Sequence, residues 1–174
     1  MIRTLRHLTP GQWALRATMV VGLLVALAAT GLVGNWPPLW LALPVGGLAV
    51  GYAVLPETSV GTVAMGLVMA WWGLAFRDGL HVEVLLAAAG LLAAHLAGVV
   101  TAYGPARMAV DRATTLLWVR RGATVFVMAP LLFGFAVWVR DQPEPEGLWV
   151  AGLAVAVAAI GTGAAGIAAG KVDM

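Results

Sequence analysis

Cysteine is absent from the chain, and serine occurs once, at Ser59. No disulfide, thiolate ligand or iron–sulfur centre can form, and no serine sits in a plausible nucleophile triad. Charged residues make up 10% of the 174, against about 25% in ordinary soluble domains. Chemical motifs are equally scarce. There is no Gly-rich phosphate loop, no HExxH and no metal-ligand spacing of His, Cys, Asp or Glu. No acidic row lines a helix as a cation pump needs, and no arginine repeat suggests a voltage sensor. The net charge of +2 is small. The basic balance comes from scattered arginines at segment boundaries, so no nucleic acid is expected as a partner. No cofactor and no enzymatic activity are expected.

What fills the chain instead is apolar: 61% of the residues are hydrophobic. Six apolar stretches follow one another, at about residues 13–34, 39–55, 61–76, 82–103, 123–139 and 148–170. Each reads as a helix crossing the roughly 30 Å hydrocarbon core. The expected fold is therefore an all-α integral membrane protein, with residues 1–174 forming one transmembrane domain, a single bundle of six helices. Thr9-Pro10-Gly11-Gln12 marks the first helix start, with Thr as N-cap, Pro at the first helical position and Gln three residues after the cap. The basic segment before it, with Arg3 and Arg6, reads as a signal-anchor leading into the first span.

Arginine placement predicts the orientation. With six crossings both termini share a side, and that side carries Arg3, Arg6, Arg16, Arg107, Arg112, Arg120, Arg121 and Lys171. The other side carries only Arg77 and Arg140. The positive-inside rule then puts both termini and the segment 104–121 in the cytoplasm. Tryptophans agree with the boundaries: Trp36, Trp40, Trp71, Trp72, Trp138 and Trp149 fall near one interface, Trp13 and Trp118 near the other. The Arg-over-Lys and Ala/Gly bias suggests a bacterial source, hence a multi-pass protein of the bacterial cytoplasmic membrane.

Two ionisable residues fall within the apolar runs. Glu83 lies near the outer end of the fourth and His95 lies deeper on the same helix, together a candidate intramembrane polar site. Twelve residues separate them, about 120° of helical rotation, so they do not share a face. His95 is expected to be structural, neutral and hydrogen-bonded to a neighbouring helix.

Small residues recur every fourth position: Gly90, Ala94 and Gly98 on the fourth span, Ala158, Thr162 and Gly166 on the sixth. Such rows let helix backbones approach closely and predict packing interfaces within the chain or with another subunit. Arg107, Arg112, Arg120 and Arg121 are the candidate cytoplasmic contacts, for anionic headgroups or a partner protein. The expected function is a non-enzymatic scaffold or accessory subunit of a membrane complex, partnered by lipids and by other membrane subunits or copies of itself. The alternative is a small transporter or channel, with a mid-membrane site near His95 and helix breaks at Pro44 and Pro130.

Overall fold

The first helix begins where its capping residues place it. Thr9 is extended and its side chain accepts a hydrogen bond from the Gln12 amide, with Pro10 at the first helical position. In the computed structural model, which describes residues 9–77, 79–102 and 111–140, α1 runs from Pro10 to Leu32. It ends in a Schellman motif: Asn35 N–H donates to Thr30 O (3.1 Å) and Gly34 N–H to Gly31 O (3.0 Å). Gly34 has φ +84°, a left-handed conformation that only glycine adopts readily.

Five more helices follow: α2 (Leu39–Val54), α3 (Val60–Ala75), α4 (Val84–Ala102), α5 (Arg112–Phe126) and α6 (Met128–Arg140). All regular structure among the described residues is helical. Among the described residues three helices are long and apolar enough to cross a membrane: α1, α4 and the continuous Ala113–Arg140 made of α5 and α6. The last has 28 residues, about 42 Å at 1.5 Å per residue. Helices α2 and α3 are apolar but have 16 residues each, about 24 Å.

Of the segment 104–121, residues 104–110 lie outside the described residues. Its residues from Arg112 onward are the first turns of α5, which runs straight on into the fifth apolar stretch. The Asp111 side chain caps this helix by accepting from Thr114 N–H at 3.1 Å, and arginine is a good helix former, so charge there does not stop the helix. The break at Val127 has its own cause. Pro130 has no N–H to donate to the Phe126 carbonyl four residues back, which ends α5 while Val127 stays near helical geometry (φ −57°, ψ −27°).

The chain divides into two compact units, Met1–Val137 and Trp138–Met174; the packing described here is that of the first. Its core lies among α1 to α4. Met19, Leu23, Ala26 and Ala29 of α1 meet Val45 and Ala49 of α2, Ala64 and Val68 of α3, and Ala87, Ala94 and Ala97 of α4. The closest approach is between α1 and α4. A Cβ placed on Gly22 would lie 2.5 Å from the Gly90 carbonyl oxygen, and one on Gly90 would lie 2.6 Å from the Gly22 carbonyl oxygen. Only paired glycines permit this crossing. Across the core, the Trp72 indole N–H of α3 donates to the Ala26 carbonyl of α1 at 2.9 Å.

Candidate functional site

Two of the three buried polar residues among those described, Gln12 and Thr101, lie toward the end where α1 begins and α2 ends; Thr30, near the other end of α1, donates to the Leu27 carbonyl at 2.8 Å. Gln12 and Arg16 are four apart on α1 and so share a face. Arg16 Nη1 donates to the carbonyl oxygens of Ala53 and, at 3.3 Å, of Val54. These are carbonyls of the last turn of α2, which have no acceptor role left inside their own helix. The cation also complements the negative end of that helix. Beside it, the Tyr52 ring lies between Gly61 of α3 and Gly98 of α4, with the hydroxyl against Gly98. Thr101 is buried and donates back to the Ala97 carbonyl at 2.7 Å. Gln12 is 2% exposed, and its Oε1 has no partner among the described residues, nor does Arg16 Nε. The chemistry available is that of a fixed cation joining two helices. No group of three His, Cys, Asp or Glu among the described residues could hold a metal.

His95 is exposed on α4. No hydrogen bond to a neighbouring helix engages it among the described residues, because its face of α4 is turned from the core. Glu83 is half-buried just before α4, where its carbonyl accepts from Leu86 and Ala87 N–H at 3.0 and 3.2 Å. The structure does not bring the two side chains together. Gly90, Ala94 and Gly98 are buried, the first two against α1 and the third against Tyr52. Arg120 and Arg121 are exposed on α5, and Arg112 opens that helix. Arg107, Ala158, Thr162 and Gly166 lie outside the described residues. Pro44 is inside α2, and neither Gly46 nor Gly47 has a neighbour within 4 Å of a built Cβ.

Sequence reasoning missed the role of Arg16. It counted as one more inner cation, since its partners are backbone carbonyls 37 and 38 residues away that carry no side-chain signature. It also missed a cavity of about 570 Å³ bounded by α1, α4 and α5. Helices α4 and α5 touch where Gly122 meets Leu96. The walls include Thr18, Ala93, Trp118 and Phe126. Thr18 donates to Ala14 O at 2.9 Å and Thr115 to Asp111 O at 3.0 Å, so both wall hydroxyls are satisfied within their own helices and the lining stays apolar. The Arg121 guanidinium lies 5.8 Å from the Trp118 ring centroid.

Comparison with known proteins finds no family model, no curated protein and no solved structure that matches the chain.

Proposed function

We propose that the chain is a non-enzymatic, multi-pass protein of the bacterial cytoplasmic membrane, a scaffold or accessory subunit of a membrane complex. The observation that carries this reading is the α5–α6 helix. It has the length and apolarity of a membrane span, yet 6% of its apolar stretch is buried. Lipid tails are as apolar as leucine, so such a helix is equally suited to lipid and to the packed face of another protein. Leu131, Leu132 and Phe135 provide that face on α6. The Arg16 bonds that tie α1 to the last turn of α2 support a structural role.

In this reading all six apolar runs cross the membrane, with both termini and the Arg107–Arg121 region inside. Helices α2 and α3 are short for a crossing, which local bilayer thinning and interfacial tryptophans accommodate. Trp40 and Trp71 form an edge-to-face pair at 6.4 Å that anchors both helices at one interface. Single cysteines at Ala109 and Gln142 should label from opposite faces of intact membranes; labelling of both from outside would end the six-span arrangement. A photo-crosslinking residue at Leu132 should capture a second polypeptide, another subunit or another copy. The subunit reading falls if gently extracted protein is monomeric and Leu132 captures lipid alone. The transporter alternative is the weaker reading, because His95 is exposed on α4.

A further inference from the structure

We infer that the groove between α1, α4 and α5 is a binding site for an anionic phospholipid, one acyl chain lying along the groove and the phosphate meeting Arg120 and Arg121. The shape supports an elongated apolar occupant. Along α4 the cavity runs from Ala89 to Val100, and along α1 it starts at Gly11. A second cavity of about 320 Å³ shares Thr18 and Ala93 with it and continues the seam along α1 to Val25. From Gly11 to Val25 the groove is about 21 Å long at 1.5 Å per residue, against a leaflet about 15 Å thick. A single acyl chain has room to lie along it. The wall offers no unsatisfied polar group to repel one, because the hydroxyls of Thr18 and Thr115 are bonded to their own helices.

Charge selects the headgroup. Trp118 and Gly122 line the groove and bracket Arg120 and Arg121 in sequence. The Arg121 guanidinium lies 5.8 Å from the ring centroid of Trp118, so its positive charge stands beside a groove-lining side chain. Trp118 lies one turn from Thr115, which belongs with Gly11 and Val100 to the same end of the groove. The two arginines are exposed, long enough to reach a headgroup phosphate, and able to bind it through several N–H donors. A phosphate at that end with its acyl chain running toward Phe126 and Val25 satisfies both the charge and the apolar walls.

Native mass spectrometry of the full chain in mild detergent tests this, with phosphatidylglycerol and phosphatidylcholine of identical acyl chains as probes. The parent should retain phosphatidylglycerol in preference to phosphatidylcholine. Replacing Arg120 and Arg121 by Gln should reduce that preference by roughly five-fold for each arginine removed. Ala93→Phe fills the groove and should abolish retention of both lipids; Ala123→Phe does the same from the α5 wall and serves if the first variant does not fold. Equal retention of the two lipids by the parent would overturn the proposal. So would unchanged retention in the double Gln variant or in both Phe variants. A dimer of the parent that Ala93→Phe converts to monomer, with no lipid released, would assign the groove to a second copy. The readout is taken on the monomer, so it stands whether or not the chain belongs to a larger complex.

Discussion

Helix α1 and the α5–α6 helix are both long and apolar enough to span a membrane, yet 44% of the first is buried and 6% of the second. Apolarity does not separate them; side-chain size does. On α1 and α4 the facing residues are Gly22, Ala26, Gly90, Ala94 and Ala97, and the backbones come together. On α5 and α6 the comparable surface is Leu116, Val119, Val125, Leu131, Leu132 and Phe135, all exposed. Where α5 approaches α4, a glycine is again at the contact: Gly122 is buried against Leu96. In lipid the hydrophobic effect gives no reason for helices to associate, so dispersion contacts and a few hydrogen bonds decide which ones do. Helices with small faces make more of those contacts because their axes lie closer.

The comparison is broken most directly by one pair of substitutions. Gly22→Leu puts a side chain where even a Cβ would stand 2.5 Å from the Gly90 carbonyl. The helices must separate, and the loss should be about 3 kcal/mol or more. Gly134→Leu on α6 adds the same atoms in open space, with no neighbour within 4 Å of its built Cβ. It should change stability by less than about 0.5 kcal/mol. Melting in detergent measures both. Equal destabilisation would mean that residue size on α1 is not what holds the core.

Arg16 comes next. Its hydrogen bonds to the Ala53 and Val54 carbonyls are the described side-chain link between α1 and the end of α2. Arg16→Met keeps much of the apolar stem and leaves the last-turn carbonyls of α2 without their donor. Hydrogen bonds to charged groups are worth roughly 1.5–3 kcal/mol, so about 2 kcal/mol should be lost. Arg16→Lys should recover only part of it, since a single ammonium lacks the guanidinium fork. A fully stable Met variant would show that α2 is fixed by Val45 and Tyr52 packing alone.

How far these two regions could be read from the sequence differs in the same way. The start of α1 is written in Thr9, Pro10 and Gln12, because a capping residue acts on its immediate neighbours. The row Gly90, Ala94 and Gly98 coincides with the buried face of α4, because four residues make about one turn and small side chains mark close approach. The start of α5 is harder. Arg112, Arg120 and Arg121 lower the apolarity of the segment and make it read as a polar stretch ahead of the fifth apolar run, whereas helix formation depends on backbone bonding and on the Asp111 cap, which ignore that charge. The Asp111–Thr114 spacing was the available signal. Least legible were Arg16 and the α1–α4–α5 groove. Backbone acceptors carry no sequence label, and a groove is what remains between helices whose separation the sequence does not state.

The smallest expected effect belongs to His95. From sequence it looks like a polar group held in a packed interior, where losing an interhelical bond would remove about 1 kcal/mol. In the structure it is exposed on α4, one position from buried Ala94 and two from buried Ala97. The hydrophobic face beside it is satisfied without it. His95→Leu and His95→Gln should therefore both stay within about 0.5 kcal/mol of the parent in detergent melting. Such a result leaves His95 outside the core and makes its surroundings lipid or a partner subunit. Two outcomes would change the picture. A loss above about 1 kcal/mol for Leu but not for Gln would mean that His95 makes a hydrogen bond in the assembled protein, and would locate a contact on this face of α4. A proton-coupled flux in reconstituted vesicles that His95→Gln abolished, with assembly intact, would make α4 part of a transport path and replace the subunit reading.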